Sequence, residues 1–314
     1  MSLRRRALLA TLLGPPLCGM LVASLIAAAW LAVGRPVPAR SDAWFELAQV
    51  GESHYSGTFD RPLFFIVVGS DARAGGPGGS RGDSLHVVGI NPALGAGTII
   101  GIPRDTAVPI PGRGTDKINA ALQYGGLPLQ ADTVSQLVGI DVPYAIVTDF
   151  AGMTAMVDEI GGIDINIPQN LNDPDSGASF VAGPQHIAGH QALAFARDRK
   201  DFANGDVSRS ENQGLLMLAA LGTIRGRMLT AAQAGNESAE VMRMLAILGR
   251  HTELDGVTIL ELYRFARVGL TVDPAAIRNV VIPTGGGAGS NLSVGPGAAG
   301  LFADFADDAV LQSH

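Results

Sequence analysis

From Ala7 to Val33 the chain carries no charged side chain, and this run follows directly on Arg4, Arg5 and Arg6. A helix crossing a bilayer needs about 20 apolar residues, so the run is long enough to span one. In hydrocarbon only a helix bonds all of its own backbone, which fixes the conformation as well. The run also exceeds the apolar core of roughly 7 to 15 residues of a cleavable leader, so an uncleaved anchor is expected over residues 1–34. Ala27-Ala28-Ala29 or Val37-Pro38-Ala39 could serve as a cleavage region in the alternative reading. The arginine triplet places the N-terminus in the cytoplasm and everything after Arg35 on the outer face. Gly14, Pro15 and Pro16 kink the helix. Cys18 is the single cysteine, which excludes a disulfide framework and any Cys-x-x-Cys pair.

The chain has 22 basic and 29 acidic residues; without the three leading arginines, 19 basic against 29 acidic leaves −10 for the outer portion. That balance argues against nucleic acid as a partner, because duplex binders concentrate Lys and Arg to release counterions. An anion site on the outer face must therefore be local. Residues 35–61, broken by Pro36, Pro38, Gly51 and Gly57, read as a juxtamembrane connector with one short helix around Asp42 to Val50.

Beyond it, Leu63–Gly69, Ser84–Ile90 and Thr98–Ile102 are short β-branched runs bounded by Gly, Pro and Asn, which predicts three buried strands. Asp116 is expected to cap a helix over Lys117–Tyr124 that Gly125 and Gly126 close, and Asp132 a second over Thr133–Val138. Tyr144–Thr148 and Ile163–Ile167 read as strands around a helix over Phe150–Ile160. Further helices are expected to end near Ala196 and to cover Val207–Leu229, Glu237–Leu248 and Ile259–Val268. Arg278–Ile282 is a last strand before a Gly-rich tail, residues 285–314. The alternation describes a layered α/β domain over residues 62–284.

Asp71 and Asp83 flank a loop rich in Gly and Pro, and a hairpin there would bring the two carboxylates together. Such a pair suits Mg²⁺, which binds through one or two carboxylates, water and phosphate oxygens; capping of loop turns is the competing reading. Arg73, Arg81 and Arg104 fall at the same strand ends. A second cluster runs from Arg197 to Gln213. Arg197 and Arg199 share a face only in an extended segment, whereas Arg209 and Gln213 share one on a helix that begins near Asp206. A solvated, salt-bridged turn is the alternative. Gly78-Gly79-Ser80-Arg81-Gly82 fits a nucleophile-elbow pattern but lacks the strand before it and the helix after it. His186 and His190 lack the glutamate of a zinc protease, and no Walker-type phosphate loop is present.

In order and spacing, residues 62 to about 229 resemble the LytR-CpsA-Psr family of bacterial cell-envelope phosphotransferases. The matching segments are Gly69-Ser70-Asp71-Ala72-Arg73, Arg81-Gly82-Asp83-Ser84, Ile102-Pro103-Arg104-Asp105-Thr106, Lys117-Ile118-Asn119-Ala120, Val157-Asp158-Glu159-Ile160-Gly161-Gly162, Ala196-Arg197-Asp198-Arg199, and Asp206 with Arg209 and Gln213. The departures are Gly82 and Ser84, where the family commonly shows Ser and Thr, and Asn212, where it commonly carries Arg. The resemblance implies a layered α/β/α domain with a central mixed sheet behind one transmembrane helix, in the cell membrane. It implies transfer of a glycopolymer from a polyprenyl diphosphate carrier to peptidoglycan with Mg²⁺. It further implies that Asp71 and Asp83 hold the metal and that Arg81, Arg104, Arg197, Arg199, Arg209, Gln213 and, more loosely, Lys117 contact the diphosphate. Asp206 and Arg73 would support them. The chemistry agrees, since phosphoryl transfer needs charge neutralisation and alignment, which guanidinium forks supply. Hydrolysis of the same lipid diphosphate, or a non-catalytic membrane-anchored regulator, are the other classes the site would fit. The stripe Leu215, Leu216, Leu218, Ala219, Leu221 and Ile224 could wall a lipid slot or simply pack the core.

Overall fold

The computed structural model describes residues 45–52, 61–70, 82–202, 205–287 and 290–312. The expected anchor, most of the connector, Asp71, Arg73 and Arg81 lie outside the described residues. In chain order the elements are β1 (Phe45–Gln49), β2 (Leu63–Ser70), β3 (Gly82–Asn91), β4 (Ala96–Gly101), β5 (Ala107–Ile110), β6 (Gly114–Lys117), α1 (Ala120–Val138), β7 (Tyr144–Asp149), α2 (Phe150–Glu159), β8 (Ile163–Ile167), β9 (Leu171–Asp173), β10 (Ala178–Phe180), β11 (Gly183–Ile187), α3 (Gly189–Arg197), α4 (Asp206–Gln233), α5 (Glu237–His251), β12 (Thr252–Asp255), α6 (Ile259–Thr271), β13 (Ile277–Val281), β14 (Thr284–Gly286), β15 (Leu292–Val294) and α7 (Ala298–Asp308).

Seven strands form a mixed sheet in the order β12-β1-β7-β2-β3-β4-β13. Covered on both faces, its central strands β2 and β3 need apolar residues at nearly every position, which is why they read as continuous runs. One face, with Ile66, Val68, Leu85, Val87 and Ile100, packs against Ala121, Leu122 and Val134 of α1 and Phe302 and Phe305 of α7. The other, with Leu63, Val88, Ile90, Ile99 and Tyr144, meets Leu218 and Leu221 of α4 and Val268 of α6. A smaller apolar cluster joins α2, α3 and β8 to Leu215, Leu216, Ala219 and Ile224 of α4. The apolar stripe of α4 thus packs against two core clusters, with Leu216 buried and Leu215, Leu218, Ala219, Leu221 and Ile224 half-buried. Between β3 and β4, Asn91 Oδ1 accepts from the backbone N–H groups of Ala93 and Leu94 and holds the reversal.

Four expectations change. Residues 45–49 form a strand where a helix was expected around 42–50, because the segment is inserted between β7 and β12; Leu47 and Ala48 then point into different core clusters. Asp116 does not cap a helix: it lies in β6, and its carboxylate takes the Lys117 N–H and the Tyr124 hydroxyl. The helix instead starts after Asn119 and runs past Asp132, interrupted at Gly125 and Gly126, the latter at φ 66°. The segment after Thr284 is no loose tail, since it supplies β14, β15 and α7, whose Phe305 is fully buried.

Candidate active site

Gly69 pairs with Ser84 and Ser70 with Gly82, so the hairpin expected around the glycine loop is formed at its base. It brings Asp83 to the end of the sheet where β4 runs into the turn Pro103–Thr106. That turn is fixed: Thr106 donates N–H and hydroxyl to the Pro103 carbonyl, and the Asp105 carbonyl accepts from Leu292 N–H. Arg104 is held there and donates from Nη1 to Asp83 Oδ1. Its Nε is buried with no hydrogen-bond partner among the described residues, 3.9 Å from Asp105 Oδ2.

Across the cleft, α4 opens at Gly205, whose φ of 47° turns the chain into the helix. Asp206 in the first turn has one oxygen, Oδ1, 3.3 Å from both Arg199 Nη1 and Arg209 Nη2. Gln213, one turn after Arg209, donates to the Ala196 carbonyl at 3.1 Å and ties α4 to the end of α3. Asp83, Ser84, Arg104, Asp206, Arg209 and Gln213 all line one small cleft. Helix starts attract anions.

The charges are unevenly matched. Burial works against the charge on Arg104, but Asp83, Asp105 and Asp206 outweigh it and hold the pKa above its usual value. For Arg209 burial prevails: assisted by Arg104 and Arg199 and opposed by Asp206 and Asp83, it pulls the pKa below the ordinary guanidinium value. Among the described residues Arg104, Arg199, Arg209 and Lys117 face Asp83, Asp105 and Asp206, so four cations meet three carboxylates and an anion's charge would relieve the remaining repulsion.

Two expected residues stand apart from this cleft. Arg197 ends α3, and its guanidinium lies 5.3 Å from the ring centre of Phe150. Asp198, with ψ 132°, leaves the helix immediately afterwards, so Arg197 and Arg199 diverge. Lys117 Nζ binds Asp105 Oδ1 at 2.7 Å and Ser290 Oγ at 3.0 Å, one ion pair away from Arg104. Residues the sequence reading did not single out include Asp105, which bridges Lys117 and Arg104, and His86, which lies fully buried behind Ser84. Alternation along β3 was the available signal for His86: it shares a face with Ser84.

Fold and site together define a layered α/β protein with an arginine-bearing cleft at the ends of its central strands. The chain belongs to the LytR_cpsA_psr (LytR-CpsA-Psr) family, whose profile matches residues 44–287. It is 36% identical over 161 residues to a polyisoprenyl-teichoic acid–peptidoglycan teichoic acid transferase TagU of Bacillus mycoides, covering 51% of this chain and 52% of that protein. The chain thus spans about half the length of the curated relatives it matches. A LytR-Csp2A-Psr enzyme from Actinomyces oris shares the fold at TM-score 0.63 and 22% identity, over 86% of this chain and 96% of that one. B. subtilis TagV does so at TM-score 0.59 and 22% identity, over 81% and 99%.

Proposed function

We propose that the protein transfers a glycopolymer from a polyprenyl diphosphate carrier to peptidoglycan on the outer face of the cell membrane, held there by its N-terminal helix. A hydroxyl of the acceptor glycan attacks the phosphorus bonded to the polymer. A new P–O bond forms, the P–O bond to the neighbouring phosphate breaks, and polyprenyl monophosphate leaves with the electron pair. The product is a phosphodiester, and the hydroxyl proton passes to solvent or buffer.

The observation that carries this reading is that Arg104 and Arg209 line one cleft, with Arg199 joined to it through Asp206, and that among the described residues these three and Lys117 outnumber Asp83, Asp105 and Asp206 by one charge. A diphosphate supplies the missing charge, and planar guanidiniums match its oxygens in pairs. Family membership and the teichoic acid transferase activity of the TagU relatives support the same reaction. Arg81, Gln213 and Lys117 are assigned to the diphosphate and its approaches, with Asp206 and Arg73 as supports, while Arg197, packed on Phe150, is left out of the set. An anchored enzyme also meets a membrane-held substrate at raised local concentration.

Among the described residues no three His, Cys, Asp or Glu side chains gather as a metal cage. The two carboxylates proposed, Asp83 and Asp71, suit Mg²⁺, which keeps its waters and takes one or two carboxylates plus phosphate oxygens. Asp83 and Asp71 would hold it, and bound there it would neutralise the diphosphate. The test is to supply the full chain with a defined polyprenyl-diphosphate oligosaccharide, a peptidoglycan acceptor and Mg²⁺. Sugar phosphate joined to glycan strands, together with polyprenyl monophosphate, is expected. Free sugar phosphate alone would assign a hydrolase, and binding without turnover a regulator; either overturns the proposal.

A further inference from the structure

Ser84 and His86 project from the same face of β3. The His86 ring is fully buried, with Nε2 2.9 Å from the Ser210 carbonyl on α4 and Nδ1 3.2 Å from Ser84 Oγ. A carbonyl only accepts, so Nε2 carries the hydrogen and Nδ1 is bare. The Ser84 hydroxyl must then donate to Nδ1. Two glycines on the flanking strands make room for this chain. Gly69 faces Ser84, and a Cβ there would stand 2.9 Å from the serine Cβ. Gly101 faces His86, and a Cβ there would overlap the Ser210 hydroxyl.

We propose that His86 is a positioning residue for the transfer: by engaging the Ser84 hydrogen it leaves the Ser84 oxygen as a lone-pair-only group in the cleft, where it accepts a hydrogen bond from the attacking hydroxyl of the acceptor glycan. This rests on the transferase reading above. A bare phosphate oxygen brings no hydrogen and gains nothing from such a group, whereas an incoming hydroxyl does. Arg104 and Arg209, which line the same cleft, are donors and suit the phosphates. The cleft thereby divides into a donor side for the diphosphate and one acceptor point for the nucleophile. The chain also joins β3, which carries Asp83, to α4, which carries Asp206 and Arg209.

The experiment uses the full chain in detergent micelles with a defined polyprenyl-diphosphate oligosaccharide, Mg²⁺ and a soluble peptidoglycan fragment. Ser84→Ala and His86→Gln are each expected to lower kcat/KM for the fragment about ten-fold, the worth of one hydrogen bond. The double variant should lose no more than either single one, because both break the same contact. Affinity for the lipid diphosphate and half-saturation by Mg²⁺ should not move. His86→Asn, whose Oδ1 can replace Nδ1, should restore most of the loss. A parental rate in Ser84→Ala, multiplying losses in the double variant, or a shifted Mg²⁺ half-saturation would overturn the inference while the transferase reading stands. An inactive parental protein would instead overturn that reading, and this inference with it. ¹⁵N spectra of His86 give a readout independent of turnover: a proton on Nε2 is expected, and one on Nδ1 excludes the assigned chain.

Discussion

Arg104 reaches from the turn after β4 to the carboxylate of Asp83 at the start of β3, so one ion pair links the metal-holding and diphosphate-holding sides of the proposed site. Both side chains keep about a quarter of their surface in solvent, at 26% and 23%. A pair this exposed contributes little to stability, so its chemical role can be tested without unfolding the protein. Arg104→Ala is expected to lower transfer by about 10² to 10³-fold, the usual loss when one preorganised donor is removed from a reacting oxyanion. Thermal denaturation should change little. Arg104→Lys should fall between, because it keeps the charge but not the fork. Initial rates on the lipid diphosphate check this, and parental activity in Arg104→Ala would remove Arg104 from the machinery.

Asp206 accounts for a second prediction. Its Oδ1 is shared by Arg199 and Arg209, so Asp206→Asn removes the negative charge that restrains both. KM for the lipid diphosphate is expected to rise about ten-fold as the guanidiniums lose their fixed directions. Arg209→Ala combined with Asp206→Asn should cost less than the product of the two single losses, since the residues act as one unit. A double-mutant cycle on kcat/KM measures that coupling.

Much of this arrangement was legible in the sequence, for local reasons. Leu63–Gly69 and Ser84–Ile90 lie within strands, and Thr98–Ile102 overlaps one that ends at Gly101, because β-branched runs with polar or glycine ends favour extended backbone, and Arg209 with Gln213 follows from helical spacing. What escaped depends on distant partners. Phe45–Gln49 becomes a strand only because β7 and β12 supply hydrogen bonds on either side. Arg197 leaves the cleft because α3 continues one residue past Ala196 and Phe150 offers its ring. In the last helix Ala298, Leu301, Phe302 and Phe305 have helical spacing, but the Gly-rich segment before them obscures the start of the pattern.

His86 sets a pH prediction. Burial, opposed by the Ser210 carbonyl, lowers its pKa to about 4 from the ordinary 6.5. The unfolded chain therefore binds a proton there at a pH where the folded chain does not. The stability this provides is present above about pH 6.5 and is lost as pH falls toward 4, by up to about 3 kcal/mol for a shift of this size. His86→Gln cannot take up that proton. Denaturant unfolding of parent and variant from pH 7.5 to 4 should show the parent's advantage shrinking, or the variant's growing, over that window. A constant difference between them would place the imidazole in a more solvated setting.

The C-terminal helix gives the last prediction. Phe305 is fully buried, meets the edge of Phe64 with ring centres 5.2 Å apart, and lies over Gly89 on β3, where a Cβ would stand 2.6 Å from its ring. The glycine and the aromatic ring are therefore complementary, and each fails without the other. Phe305→Ala should cost about 3 to 5 kcal/mol by opening a cavity that the central sheet cannot collapse to fill. Gly89→Ala should cost about 1 to 3 kcal/mol by crowding the ring. Combined, the two should cost less than their sum, because the added methyl occupies part of the vacated space. Because the same helix packs against the sheet that carries Asp83, Phe305→Ala should also lower the fraction of active protein on warming, with kcat per folded molecule unchanged at low temperature. Unfolding by urea alongside active-site titration separates the two effects; a Phe305→Ala protein as stable as the parent would show that the helix is dispensable to the core.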